Sequence, residues 1–416
     1  MSTPILIEPG TRFTCDPCGF CCGFWDIHVD RQRREMLGQK DWVNKRAQEL
    51  RESPGKDLFK IVDQSGLSII QRANGACSFL NEQLLCSIHS IDGFDAKPLV
   101  CQQFPNIYYR TPRGIEVYLD YSCPEVIKNN GALITTEAVS QALSREFVQE
   151  IGSTFSLDAS TRLDWEGYTE LERTFLEILQ KLAPWEEQLL LLDEILKALR
   201  RNLGRTTGTC DATEVRRALD SINRAELDSL VAKARSSTGS ISKRDLYVAI
   251  LVQWVESTFS GEVGPRPLGA GKVITNVLKQ WKGIGNNEFK VFGFRLDYSQ
   301  VSAVGFDPKI AALRDPVDRY LRYLIKSLVA TQAMTLQKRM AIIATNFALV
   351  KWLSRAHASS SSRRHVTLDD VVFAIKMVEK FLSYRLFNRL ESKKNFLSNF
   401  VGLLFDNPAL PATMLA

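Results

Sequence analysis

The sequence has no apolar run near the ~18 residues that a membrane-crossing helix requires. Its longest leucine stretch, Leu189–Leu192, is short and bounded by Glu187 and Asp193. Met1–Gly10 lacks a basic start followed by a long apolar segment, so no secretory leader is expected. Neither sign of charge dominates: 53 basic against 47 acidic residues leave a net charge of +6. That excess is too mild to promise a nucleic-acid face, and nucleic acid is not expected as a partner. The most informative absence is local. Of nine cysteines, only Cys210 lies beyond residue 123. Together these absences predict a cytoplasmic chain with no membrane partner. In a reducing compartment, clustered cysteines are metal ligands or redox groups before they are disulfides.

The cysteines that are present fall in blocks. Four occupy eight residues, Cys15-Asp16-Pro17-Cys18-Gly19-Phe20-Cys21-Cys22, and Cys77, Cys86, Cys101 and Cys123 follow. The C-x2-C-x2-C spacing puts three thiolates on one tight loop, with Gly19 easing the backbone, so that three sulfurs can converge on one cation or one cluster face. Cys22 should point elsewhere, because neighbouring side chains diverge; it could serve a second metal, or the first through a bent backbone. Eight candidate ligands result: Cys15, Cys18, Cys21, Cys22, Cys77, Cys86, Cys101 and Cys123. They suffice for two four-sulfur sites, or for one site plus redox or structural thiols. His89, three residues after Cys86, can reach the same site as an alternative ligand; a hydrogen-bonded structural histidine is the competing reading. Structural zinc usually comes from paired C-x2-C knuckles, whereas here one C-x2-C-x2-C turn precedes isolated cysteines. The pattern favours an Fe–S cluster, of the 4Fe–4S kind, over zinc. Cys123-Pro124 echoes the distant Cys-Pro ligand of ferredoxin-like clusters. The spacing is not the C-x3-C-x2-C associated with radical S-adenosylmethionine enzymes.

The expected fold class is α+β: a small Cys-rich metal-binding domain with short β-hairpins over residues 1–135, then a mainly α-helical region over 136–416, with a further split near 202–213. Asp30 and Asp41 read as N-caps of short helices. Leu58–Val62 and Leu67–Ile70 read as a hairpin across Asp63–Gly66, and 106–110 with 115–121 as a second across Thr111–Gly114. The cysteines lie at the edges of these elements. No large hydrophobic core is apparent there, so ligand bonds would supply part of the folding energy. Beyond, helices are expected at 136–150, 163–182, 184–201, 243–259, 317–331, 336–356 and 368–384, with a last one at 392–405. The Gly/Thr-rich tract 202–213 reads as a linker with Asp211 or Thr213 capping the next helix, Cys210 as a plain linker cysteine, and Phe289–Leu296 as a short strand pair.

The motif blocks carry a resemblance. Phe13-x-Cys15-x2-Cys18-x2-Cys21-Cys22, Cys77-Ser78-Phe79-Leu80, Cys86-Ser87-Ile88-His89, Lys97-Pro98-x2-Cys101-x2-Phe104-Pro105 and Cys123-Pro124 occur in an order that resembles the YkgJ-type cysteine-cluster family, whose defining segment is C-x2-C-x2-C-C. The likeness spans about residues 13–125 and implies a chelated zinc or iron centre. The helical remainder is similar in layout to flagellin lysine-N-methylases, in which such a cluster precedes a helical region. That layout implies a protein lysine N-methyltransferase as the alternative function, with S-adenosylmethionine as cofactor in that reading only. Asp120, Tyr121, Tyr108 and Glu125, close to Cys123, are the candidates to serve such a reaction, against ordinary hairpin roles. The helical region would then present a protein substrate or partner surface. A third reading is an interaction or nucleic-acid-associated protein in which zinc is only structural.

Other motifs fail on their own chemistry. Gly269-Ala270-Gly271-Lys272-Val273 hints at a phosphate loop, but Arg266 and Val273 stand where a Walker A loop needs Gly and Ser or Thr. Arg363-Arg364-His365, with Arg355 and His357, reads as a small basic patch on a solvated loop.

Overall fold

A computed structural model describes residues 3–23, 26–51, 58–73, 75–143, 148–204, 208–236, 241–263, 270–330, 334–381 and 396–415. The chain divides into two compact units, residues 1–108 with 115–148, and residues 109–114 with 149–416. The α+β class holds, with small sheets and hairpins first and helices after them.

In the first unit, β1 (Ile5–Ile7) precedes the cysteine loop and β2 (Ile27–Val29) follows it. Asp30 caps α1 (Arg31–Gly38), its carboxylate accepting from the Arg33 amide at 2.7 Å. Asp41 is the first residue of α2 (Asp41–Arg51), inside the helix and not its cap. The first expected hairpin is β3 (Phe59–Ile61) with β4 (Ser68–Ile70), in the register Phe59↔Ile70. The Asp63 carboxylate accepts from the Ser65 and Leu67 amides and Gly66 takes φ +85°, the chemistry of a tight turn. β2 adds to the other side of β4 (Ile27↔Ile70), a pairing with no local signature. Then come β5 (Arg72–Ala73), β6 (Ala76–Cys77), α3 (Ser87–Asp92) and α4 (Leu99–Gln103). The second hairpin, β7 (Asn106–Thr111) and β8 (Gly114–Leu119), follows, and β1 lies parallel to β8 in the register Ile5↔Ile115. α5 (Pro124–Lys128) and α6 (Thr136–Ala142) finish the unit.

Two small cores result. Ile27, Val29, Leu37, Val43, Ile70, Phe79 and Ile88 form one; Tyr108, Ile115, Val117 and Val139 form the other. The apolar cluster that the sequence left unapparent is therefore present, assembled from residues 27 to 96.

The expected helix 136–150 stops at Ala142, and Val148–Glu150 is β9, at which the second unit begins. A hairpin missed by the sequence, β10 (Thr154–Ser156) and β11 (Thr161–Asp164), leads into α7 (Trp165–Leu179), capped by Asp164 on the Gly167 amide at 2.7 Å. α8 is Trp185–Leu203. The supposed linker contains β12 (Gly208–Cys210), which runs parallel to β11 with Leu163↔Cys210. Cys210 is only 1% exposed, so it is a core residue and not a linker cysteine. Asp211 makes the capping box with Glu214 that opens α9 (Ala212–Asp220). α10 (Arg224–Ser236), α11 (Ile241–Val263), α12 (Ala270–Lys282), β13 (Asn286–Phe289), β14 (Phe294–Asp297), α13 (Tyr298–Val301) and α14 (Ala311–Lys326) follow. Val273 is buried on α12, a packing residue in place of a phosphate-loop hydroxyl. α14 begins more than a turn before the expected start and holds Pro316 inside it.

α15 (Leu336–Ser360) is buried on nearly every face, the mark of a central helix, and α16 (Leu368–Phe381) packs along it. α17 (Phe396–Phe405) and α18 (Leu410–Leu415) close the described chain; residues 382–384 of the expected helix lie outside the described residues. Two members of the supposed basic patch are consumed internally: His357 Nδ1 lies 2.6 Å from the Asp370 carboxylate, and Arg363 pairs with the same group.

Candidate metal centre

Hydrogen bonds hold the loop that carries Cys15, Cys18, Cys21 and Cys22 in place from outside. Just before it, the Phe13 amide donates to the Ala132 carbonyl at 2.9 Å and the Arg12 amide to the Asn129 side chain at 2.8 Å. The Thr14 hydroxyl accepts from the Ala132 amide at 3.0 Å. The partner segment 129–132 directly follows α5, and Cys123 is the N-cap of α5. Cys15 is thereby tied to Cys123 from more than a hundred residues away. Gly131 makes the tie possible: it has φ +98°, and a Cβ there would collide with the side chain and amide of Thr14.

Further along, Gly19 has φ +67°, which eases the turn as its sequence position implies. A Cβ on it would also press on Leu80 and Leu84 at 3.2 and 3.3 Å, so the first cysteine loop rests on the loop between Cys77 and Cys86. That second loop is organised by Asn81, whose side chain accepts from the Gln83 and Leu85 amides at 3.0 and 2.8 Å. A bridge joins Leu80 to Cys86, and Cys86 is the N-cap residue of α3. Cys101 lies on the one-turn helix α4, opened by Pro98.

The Cys21-Cys22 doublet departs from the expected divergence. Cys21–Gly23 form a 3-10 turn, with the Cys22 amide donating to the Gly19 carbonyl at 3.1 Å. This curvature sets the two thiols as a coupled pair, in which one sulfur is stabilised as thiolate by the proton that the other keeps. The hydrogen bond between them, with the Lys97 ammonium and nearby amides, holds Cys21 down to about 7 against the opposing effect of burial. Cys22 is pushed well up as the partner that keeps its proton, with burial adding to the effect. Burial pushes Cys77 and Cys123 up to about 12, and Cys101 higher than its ordinary value. Burial also raises Cys15, helped by the charges of Cys21 and Cys18. A thiol raised in this way ionises only when a cation or hydrogen-bond donor stabilises the thiolate.

The surroundings of the eight cysteines differ. Cys77 belongs to the core of Ile27 and Phe79, and Cys22, Cys86 and Cys101 pack against that same core. Cys123 feels the charges of Cys18 and Cys15, the two most exposed of the set. Cys21 stands between, acting on Cys15 on one side and on Cys77 and Cys101 on the other. An all-thiol donor set suits a thiophilic ion, zinc or iron. Among the described residues, no three Cys, His, Asp or Glu side chains are arranged to hold a metal ion as they stand. His89 is exposed on α3 with its ring edge-on to Phe94 at 5.8 Å, an aromatic contact in place of the hydrogen bond expected of a structural histidine.

The residues near Cys123 singled out for an enzyme have local work. The Asp120 carboxylate accepts from the Ser122 amide at 2.9 Å, and Glu125 pairs with Lys128 at 2.9 Å. Tyr108 and Tyr121 are buried at 1% and 8% exposure. What sequence reasoning missed is the 129–132 clamp, whose only trace is the pair Asn130-Gly131 after a helix.

Residues 14–124 match the family model "CxxCxxCC: Putative zinc- or iron-chelating domain". Neither a search of curated proteins nor one of solved structures finds a match.

Proposed function

We propose that the CxxCxxCC domain of this chain binds metal through two adjoining sets of four thiolates: Cys22, Cys77, Cys86 and Cys101 against the core, and Cys15, Cys18, Cys21 and Cys123 toward the surface. The observation that carries the reading is the gathering of eight cysteines from five separated stretches into one unit, four of them sharing a single core cluster. Each set has the four-thiolate composition of a 4Fe–4S cluster or a structural zinc site. A bound cation stabilises thiolates directly, so metal uptake would release the protons that burial now retains on Cys77, Cys101 and Cys123. We favour iron–sulfur over zinc, because isolated cysteines after one C-x2-C-x2-C turn are not the paired knuckles of zinc ribbons. Methyl transfer to a protein lysine draws no support from Asp120 or Glu125, whose carboxylates serve a turn and an ion pair.

Anaerobic purification with metal and sulfide analysis and a visible spectrum tests the reading. Iron with labile sulfide and broad brown absorbance is expected; colourless protein with stoichiometric zinc would replace the cluster, and metal-free, fully folded protein would overturn metal binding altogether. Serine variants test the partition. Cys77→Ser should remove one centre and leave metal bound by the other set, and Cys123→Ser should do the converse. Loss of all metal from either variant would mean a single shared centre.

A further inference from the structure

The helical unit contains a cleft of about 590 Å³, within the usual range for small-molecule sites. One side is the face of α15 that carries Ala348, Lys351, Trp352 and Arg355, positions separated by three, four and seven residues and hence stacked on one helix face. Trp281 and Tyr298 bring flat aromatic surfaces to the lining, and Phe347 and Met414 add to its apolar part.

The charge in the cleft is unbalanced. Arg244, Lys282, Lys351 and Arg355 line it against two acids, Glu186 and Asp245. Lys351 pairs with Glu186, and Arg244 lies 3.3 Å from Asp245. Arg355 makes no ion pair with any described residue, and its Nε is shut off from water without an acceptor. Burial, and then the like charge of Arg244, pull its pKa below the ordinary guanidinium range; the two acids only partly offset this. Gln280, on the same lining, is 7% exposed, and its Nε2 is likewise enclosed with no acceptor. Its Oε1 is already used, accepting from Gln253 at 3.0 Å. Two side chains at one cleft therefore hold donors that the described protein leaves without an acceptor, in a field of surplus positive charge. Buried donors left unmade are costly, and native proteins rarely leave them so.

We propose that this cleft is a binding site for a small molecule that carries a carboxylate or phosphate on a flat apolar body. The oxyanion would take the Arg355 guanidinium, whose planar fork matches either group, and a turn of the Gln280 amide toward the cleft would give it the same acceptor. The flat body would lie against the aromatic lining of Trp281 and Trp352. The site is independent of the cysteine centre.

Calorimetric titration of the full chain tests this with four probes: AMP and 1-naphthoate, and their uncharged counterparts adenosine and 1-naphthalenemethanol. At least one anion should bind saturably, at least tenfold tighter than its neutral counterpart. Arg355→Gln should weaken that binding by about ten- to a hundredfold, the loss of a charge-assisted hydrogen-bonded pair, with a melting temperature equal to or above that of the parent, since an uncompensated charge is removed. If that variant does not fold, Arg355→Lys keeps the charge but loses the fork and should bind several-fold more weakly. No saturable binding of either anion, equal binding of charged and neutral probes, or unchanged affinity in the Arg355 variants would overturn the proposal. A response to both phosphate and carboxylate would define the shared oxyanion as the recognised group.

Discussion

Two buried carboxylates show how environment sets the role of a residue. Asp370 is fully buried and accepts from the Thr367 amide and hydroxyl, both at 2.8 Å, while also holding His357 and Arg363. Burial opposes its charge, but the bonds from His357 and Thr367 and the Arg363 charge prevail, and its pKa lies below the ordinary 3.8. Asp370→Asn should therefore destabilise the protein by about 2–3 kcal/mol, the loss of charged hydrogen bonds, measured by denaturant unfolding. Glu256 is the opposite case. It accepts from the Lys290, Val291 and Phe292 amides at 3.1, 3.0 and 3.3 Å, yet burial dominates and raises it to about 7. A raised folded-state pKa means that the protonated form favours folding. The contribution is complete below pH 4.5, the unfolded value, and is lost as pH rises through about 7. Melting temperature should thus fall more steeply between pH 5 and 8 in the parent than in Glu256→Gln; identical slopes would remove Glu256 from the account.

At the scale of elements, the loops that carry the cysteines are held by connections that contain no cysteine. The clamp of 129–132 on 12–14 brings Cys123 to Cys15, and Gly131 permits it through its φ of +98° and its lack of a Cβ. Gly131→Ala should cost at least about 1 kcal/mol from the left-handed backbone alone, with more from the collision. Its specific consequence is expected in the surface set: metal content of the Cys15–Cys123 neighbourhood should fall while the core set stays loaded. Retention of all metal in a folded variant would show that the clamp is dispensable. Asn81 plays the matching part for the second loop, and Asn81→Ala should weaken the core set by freeing the Gln83 and Leu85 amides.

For the whole molecule, the two units rest on different kinds of stabilisation. The first spreads its apolar residues over two small clusters, whereas the second is built on a long helix buried on nearly all sides. Metal ligation that adds folding energy should matter to the first unit alone. Chelation or acid release of metal should lower the melting transition of residues 1–148 and leave that of the helical unit in place, resolved by hydrogen exchange or by calorimetry with two transitions. A single transition unmoved by metal removal would count against a structural role for the centre.

The sequence by itself determined the family likeness and much of the local structure. Cysteine spacing located the region that matches the zinc- or iron-chelating family model, the Asp63–Gly66 and Thr111–Gly114 turns located the β3–β4 and β7–β8 hairpins, and helix periodicity located the large helices, because these depend on residues close along the chain. It did not determine what depends on distant partners. The pairing of β2 with β4, the parallel join of β12 to β11 that buries Cys210, and the 3-10 turn over Cys21–Gly23 were decided by tertiary structure. So was the packing of Cys22, Cys77, Cys86 and Cys101 against one core cluster. A thiol's spacing states what it can bind, while its neighbours are fixed by where burial and long-range hydrogen bonds carry the backbone on either side of it.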